Sequence, residues 1–94
     1  MVTVGMNYEV LAGKEKPFEK KFALVVEALD QTQGHIRTNL MKDVFNPRSY
    51  LVVSEWQERL SFEEFISSEV FRSVTKWGAE TILATRPSHK VYGD

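Results

Sequence analysis

Apolar and polar residues alternate over the first ten positions of the chain, which is the pattern of a strand that buries one face. The same alternation recurs from residue 35, where it places Ile36 on one face of a second strand and both His35 and Arg37 on the other. The apolar side of the first strand comprises Val2, Val4, Met6, Tyr8 and Val10. In total the pattern predicts four strands, over residues 2–10, 35–44, 50–56 and 88–92.

Between the first two strands, apolar residues recur at helical spacing and predict an amphipathic helix. Pro17 suits the first helical position, where the missing N–H has no cost, and Gly34 suits the end. The apolar stripe comprises Phe18, Phe22, Val25, Val26 and Leu29.

After the third strand, the residues SFEE at 61–64 have the form of a capping box. In such a box the Ser61 hydroxyl and the Glu64 carboxylate each accept the other residue's backbone N–H. A helical turn is therefore predicted to begin at Ser61. Ser68 is predicted to cap a further helix, whose apolar side comprises Val70, Phe71, Val74 and Trp77.

The predicted order of elements is β-α-β-β-α-β, which is typical of an α+β fold of the ferredoxin-like, split βαβ type. One domain over residues 1–94 is expected, with a four-stranded antiparallel sheet and both helices on one face. Two helices cannot cover both faces of such a sheet, so we expect a homodimer. The uncovered face is predicted to carry Gly5, Asn7, His35, Arg37 and Met41.

Composition narrows the function classes. The 94 residues include no cysteine, which excludes disulfides, thiolate metal sites and cysteine nucleophiles, and fits a cytoplasmic location. A net charge of −1 without a basic block argues against a nucleic-acid partner. No apolar run approaches about 18 residues, so neither a membrane span nor a signal peptide is predicted.

Most chemical motifs are missing from the sequence. The two histidines, His35 and His89, are far apart and have no neighbouring carboxylate cluster, so no metal site is predicted. No glycine-rich phosphate loop follows a strand, and no serine elbow is present. Candidate sites therefore come from single residues, each of which has packing as an alternative role.

Several segments together resemble the antibiotic biosynthesis monooxygenase family. A strand that ends in Trp56 is followed by SFEEF at 61–65 and SEVF at 68–71, and both segments are similar to that family. GKE at 13–15 and GHI at 34–36 also resemble it. The resemblance implies a dimeric α+β barrel in which each subunit has a pocket between sheet and helices. Some members oxygenate aromatic polyketides without metal or flavin, and others bind and degrade haem.

The family's functional positions are only partly matched. Haem-degrading members use an Asn in the first strand, a Trp in the turn after the third strand and an iron-ligating His on the next helix. The Trp position is Phe65 here and the His position is Thr75, while the Asn position falls on Met6 or Asn7. The polyketide oxygenases also use a Trp at the position of Phe65. The resemblance therefore does not transfer either mechanism directly.

The leading hypothesis is a cofactor-independent monooxygenase that acts on a flat, largely apolar molecule, aromatic or polyketide-like. The residues expected to position this substrate are Asn7, Tyr8 and Trp77. The predicted pocket walls are Met6, Trp56, Phe65 and Thr75.

Two alternatives stay open. One is a haem-binding or haem-degrading protein in which His89 or His35 replaces the absent helix histidine; His89 is also a candidate general base. The other is a binding domain without catalytic activity.

Overall fold

The predicted order of elements is confirmed. A computed structural model describes residues 1–73, 76 and 88–93. Its strands are β1 (Val2–Glu9), β2 (His35–Lys42), β3 (Ser49–Trp56) and β4 (Ser88–Gly93). Its helices are α1 (Glu15–Asp30) and α2 (Arg59–Ile66), and residues 69–73 are also helical.

The four strands form one antiparallel sheet in the order β2-β3-β1-β4. The two central strands pair Val4 with Ser54, and Val4 also faces Val91 on β4. This is the ferredoxin-like arrangement that the sequence predicts, in which β1 lies between the third and the last strand. Because directly opposite residues share a face, the register fixes which side chains meet α1 and α2.

The core lies between the helices and one face of the sheet, here called the helix-covered face. Even-numbered residues of β1 and β3 point into it, and α1 contributes its predicted stripe. Val26 is partly buried, whereas the other four stripe residues are buried. The buried hydrophobic residues are Val2, Val4, Met6, Val10, Phe18, Phe22, Val25, Leu29, Tyr50, Val52, Trp56, Phe62 and Phe65.

The helix starts differ from the prediction in two places. The prediction that Ser61 caps the second helix is wrong, because α2 begins at Arg59. Ser61 lies inside the first turn, and its backbone N–H donates to the Glu58 carbonyl at 3.2 Å. Pro17 is the third residue of α1, since the helix begins at Glu15. It still lies in the first turn, where its missing N–H is tolerated.

The cap at Ser68 is confirmed. Its hydroxyl accepts the N–H of Phe71 at 3.3 Å and donates to the Phe65 carbonyl at 2.5 Å. The predicted continuation through Val74 and Trp77 lies outside the described residues.

A β-bulge overturns the predicted faces at the start of β2. His35 pairs with Trp56 and Arg37 pairs with Glu55, which leaves Ile36 as the extra residue. Such a bulge shifts the alternation by one residue. His35 therefore lies on the helix-covered face instead of the uncovered one, while Arg37 is on the uncovered face as predicted.

The second face of the sheet, here called the open face, carries no helix among the described residues. Its centre is apolar, because Leu51 and Tyr92 lie over Gly5 and would contact a Cβ there at 3.6 and 3.7 Å. Arg37 forms an ion pair with Glu55 at one end of this face. Within the described ranges, no helix has the length and apolarity that a bilayer crossing requires.

Candidate functional site

A cavity of about 30 Å³ lies inside the helix-covered half of the domain. It brings together four residues that the sequence singles out, Met6, Tyr8, Trp56 and Phe65. Among the described residues, the rest of its wall is apolar except for Ser54 and consists of Phe22, Val25, Leu29, Val52, Ser54, Phe62 and Phe71. We call it the core cavity. The other two candidates, Thr75 and Trp77, lie outside the described residues.

Tyr8 contributes a phenol to this apolar wall. Its ring packs against Phe18 and Phe22, with centroid distances of 5.5 and 6.4 Å. Its hydroxyl makes a weak contact to the Met6 sulfur at 3.8 Å. Burial raises the pKa of Tyr8 to about 12, because the charged phenolate is poorly solvated there. The phenol therefore stays protonated near neutral pH and can donate a hydrogen bond.

Trp56 is a fixed wall of the core cavity. Its indole N–H donates to the Ser54 hydroxyl at 2.9 Å, and both residues are buried. Its ring contacts Phe62 and Phe65 at centroid distances of 5.8 and 5.7 Å. Since the N–H already has a partner, this residue is suited to shape the cavity and not to donate to a ligand.

Asn7 and Tyr8 are on opposite faces of the sheet. Asn7 pairs with Leu51 and Ser88 on the open face, and it is exposed. Successive residues of a strand point in opposite directions, so one subunit does not bring these two side chains to the same pocket.

His35 is buried beside the core, with 2 % of its side chain exposed. Its Nε2 lies 2.6 Å from the Thr38 hydroxyl, and its Nδ1 lies 3.9 Å from Asp30. Burial lowers the pKa of His35, and the nearby Asp30 carboxylate opposes that shift. Both ring nitrogens thus face partners within the domain. The alternation in the sequence gave no sign of this, because it does not reveal a bulge.

His89 is next to the core cavity and more accessible. It pairs with Met6 across β1 and β4, so its side chain lies on the helix-covered face. Its ring packs edge to face on Phe62 at 5.5 Å, and the residue is exposed. Met6 and Phe62 both line the core cavity, which places this imidazole at the cavity's β4 edge.

A polar cluster that the sequence did not suggest joins α1 to the sheet. Glu19 accepts a hydrogen bond from the Tyr50 hydroxyl at 2.5 Å and one from Lys42 at 2.9 Å. The Lys42 ammonium also lies 5.2 Å from the centre of the Tyr50 ring. The Tyr50 bond and then Lys42 lower the pKa of the Glu19 carboxyl. Burial and then Glu19 raise the pKa of Tyr50.

A second, open groove of about 590 Å³ lies between the end of α1 and α2. Its charged lining residues are Glu58 and Glu64, and no histidine, methionine or tyrosine is among the described residues that line it. The described part of the chain also contains no group of three His, Asp or Glu side chains that could hold a metal ion.

Comparison with known proteins points to one family. A family model described as antibiotic biosynthesis monooxygenase matches residues 1–77. One similar solved structure is that of SnoaB, a cofactor-independent oxygenase from Streptomyces nogalater. Its TM-score is 0.85 at 20% sequence identity, and the match covers 99% of this chain and 91% of that one. A Nitrosomonas europaea structure, provisionally named antibiotic biosynthesis monooxygenase, has a TM-score of 0.88 at 14% identity, over 100% and 98% of the two chains. At these identities the likeness is one of fold.

The curated sequence relatives are named for haem binding instead of oxygenation. A protein of Halobacterium salinarum, provisionally named heme-binding, is 33% identical over 87 residues, which are 93% of this chain and 18% of that protein. The chain spans less than a fifth of the length of the three curated relatives it matches, all of which are named in this way.

Proposed function

Because this chain belongs to the antibiotic biosynthesis monooxygenase family, we propose that it binds a flat, largely apolar, hydroxylated aromatic molecule in the core cavity and oxygenates it. The observation that carries the proposal is the composition of the cavity wall. Apolar and aromatic side chains surround a single, partly buried phenol, Tyr8, whose pKa keeps it a hydrogen-bond donor. A wall of this kind favours an apolar ring system that carries one oxygen acceptor.

The core cavity must enlarge to hold such a ligand. Small-molecule pockets commonly have volumes of about 300–1,000 Å³, whereas this cavity has about 30 Å³. Its described wall consists largely of side chains with rotatable bonds, including Met6, Leu29 and Phe71. Ligand entry therefore requires these side chains or their helices to move, and binding displaces core contacts.

The chemistry we propose needs no cofactor. An anthrone-type substrate carries a CH₂ group between two rings, and O₂ converts this group to a carbonyl. One oxygen atom enters the product, and the other leaves as water together with the two hydrogens. The substrate supplies the electrons. Tyr8 would donate to the substrate oxygen on which negative charge develops, and the His89 imidazole would accept the proton that leaves carbon.

The proposal includes a homodimer that covers the open face, and a cytoplasmic location. The two described helices cover one face of the sheet. The apolar centre of the other face, around Leu51 and Tyr92, supports contact with a second copy.

The methionine methyl groups test the location of ligand binding. The chain has three methionines; Met6 lines the core cavity and Met41 lies on the open face. Titration with 1,8-dihydroxyanthraquinone, followed by ¹³C-methyl NMR, is expected to shift the Met6 signal and leave that of Met41 in place. Met41→Leu and Met6→Leu assign the two signals. Binding that moves the Met41 signal alone, or no binding at all, would contradict the proposal.

Haem binding is a second candidate, favoured by the relatives named heme-binding. The described residues fit it poorly. His35 is buried with both nitrogens facing partners, and a porphyrin would require the core cavity to enlarge more than a three-ring substrate does. The larger groove has no described histidine to ligate iron. His89 is the one described histidine that is exposed, and it would be the ligand.

Absorbance spectra with added haemin separate this candidate from the first. If haem binds through His89, a shifted Soret band should appear and should be lost in His89→Ala but kept in His35→Ala. If the Soret band does not shift, or shifts equally in wild type and His89→Ala, His89 is not a haem ligand. A protein that binds the anthraquinone but consumes no oxygen would be a binding domain.

A further inference from the structure

The loop between β2 and β3 presents two large apolar side chains to solvent. Val44 and Phe45, here called the hairpin tip, are 89 % and 96 % exposed. A fully exposed aromatic ring forgoes the favourable free energy that its burial would contribute. Aromatic residues that cap a protruding loop are common anchors of protein interfaces.

Hydrogen bonds build this loop and hold the hairpin tip outward. The Asp43 carboxylate accepts the backbone N–H of Phe45 at 2.7 Å and of Asn46 at 3.1 Å. The Asn46 side chain accepts the N–H of Arg48 at 3.1 Å. The backbone N–H of Asp43 also donates to the Ser49 carbonyl at 3.0 Å, and the Ser49 N–H donates to the Asn46 carbonyl at 2.9 Å. The tip is therefore preorganised, which lowers the entropic cost of docking.

A depression of about 260 Å³ lies next to the tip on the same hairpin. Its floor includes Met41 and Leu51, which are 50 % and 36 % exposed on the open face. Its remaining lining residues are Asn7, Lys42, Asp43, Ser49 and Tyr50. The depression thus combines an apolar floor with a polar rim, which suits an inserted aromatic ring.

The charges of the open face favour a second copy of the chain as the occupant. Within the described strands, the register places two basic residues, Arg37 and Lys90, and two acidic residues, Glu9 and Glu55, on this face, so their formal charges sum to zero. Arg37 and Glu55 already neutralise each other. A neutral face can meet its own copy without like-charge repulsion. Together with the hairpin loop it offers close to the 20–30 residues that each side of a specific interface contributes.

We propose that the hairpin tip is the anchor of the homodimer, with Phe45 of each copy inserted into the depression on the other copy. Two-fold symmetry makes such a contact occur twice, since each copy supplies both a tip and a depression. Because the depression lies at the tip's own end of the sheet, the two hairpins must lie side by side. This inference rests on the homodimer in the proposed function, and it specifies which residues hold the copies together.

Sedimentation equilibrium of three proteins tests the anchor. The Phe45→Ser variant should dimerise at least tenfold more weakly than wild type, because hot-spot truncations have effects of this size or more. Leu24→Ala, which truncates an exposed residue of α1, should dimerise like wild type. A far-UV circular dichroism spectrum like that of wild type will show that Phe45→Ser is folded, whereas its thermal unfolding should reflect the weaker dimer.

A label on the hairpin gives an independent readout. The chain has no cysteine, so Arg48→Cys carries one spin label per copy. Adjacent hairpins predict a single short distance between labels. An unchanged dimer in Phe45→Ser, or a long label distance, overturns the anchor but leaves the dimer standing. A monomeric wild type overturns both, and neither outcome affects the Met6 test of ligand binding.

Discussion

His35 and Trp56 pack edge to face, with ring centroids 5.2 Å apart. They are register partners, His35 at the start of β2 and Trp56 at the end of β3, and the bulge at Ile36 turns the imidazole toward the helices. The indole in turn forms a wall of the core cavity. A one-residue irregularity in the sheet therefore decides whether a histidine supports the candidate pocket or faces away from it.

The buried His35 should make stability depend on pH. Burial lowers its pKa in the folded state, so the unfolded chain binds the proton more tightly. The free energy of unfolding should be greatest above the unfolded pKa of about 6.5 and should fall as the pH drops below it. Urea unfolding at several values between about pH 7.5 and pH 5 measures this.

Two variants isolate that effect. His35→Phe keeps a ring beside Trp56 and should reduce the decrease in the free energy of unfolding at low pH, although it loses the hydrogen bond to Thr38. His89→Gln removes the exposed histidine and should leave the pH dependence of the free energy of unfolding unchanged. An equal pH dependence in wild type and His35→Phe would assign the proton uptake to other groups.

Gly34 should tolerate no side chain. Its φ is +87°, and a Cβ there would lie 2.6 Å from the Ser61 Cβ and closer still to its hydroxyl. Left-handed strain and overpacking together predict a loss of about 3 kcal/mol for Gly34→Ala. Chemical denaturation measures the loss.

The contact with Ser61 separates the two causes. Gly13→Ala has the same strain, with φ at +83°, but has no atom within 4 Å of the new Cβ. It should therefore cost about 1 kcal/mol. Adding Ser61→Gly should restore part of the loss in Gly34→Ala, as a positive coupling in the double-mutant cycle. If both alanine variants lose the same amount, the contact with Ser61 is unimportant.

Tyr50 should control the ionisation of Glu19. Its hydroxyl is the largest cause of the lowered pKa of that carboxyl. Tyr50→Phe should therefore raise the pKa of Glu19 toward its ordinary value, as ¹³C-carboxyl NMR can follow. Tyr92→Phe, on the open face, is the matched control and should change nothing. A Glu19 pKa that is the same in both variants would mean that Lys42 alone sets it.

Periodicity predicted the elements of this fold well. The stripe of α1 and the alternation of β1 and β3 depend on one buried face, so Phe18, Phe22, Val4 and Val52 could be assigned to the core from sequence. Helix starts were harder to predict. Ser61 has the residue type of a cap, but α2 begins two residues earlier, at Arg59, and the Ser61 side chain lies against Gly34.

The candidate site was less predictable, because it depends on contacts between distant residues. Sequence reasoning grouped Met6, Tyr8, Trp56 and Phe65, all of which line one cavity. It also grouped Asn7 with Tyr8, although neighbours on a strand point to opposite faces. The bulge that moves His35, and the cluster around Glu19, have no local signal in the chain. Both arise from the register between strands and from helix packing.

The Tyr8 phenol should matter for oxygenation more than for folding. Tyr8→Phe keeps the ring packed against Phe18 and Phe22 and removes the hydroxyl. Loss of a donor to developing negative charge commonly slows catalysis about a hundredfold or more. Tyr92→Phe makes the same chemical change on the open face and should keep the wild-type rate.

Oxygen uptake with 1,8-dihydroxyanthrone, corrected for the protein-free rate, is the most direct measurement of the proposed activity. We expect the wild-type protein and Tyr92→Phe to consume one O₂ per anthrone well above background, and Tyr8→Phe to fall close to it. Uptake at the background rate for wild type, or equal uptake by wild type and Tyr8→Phe, would contradict an oxygenase centred on the core cavity.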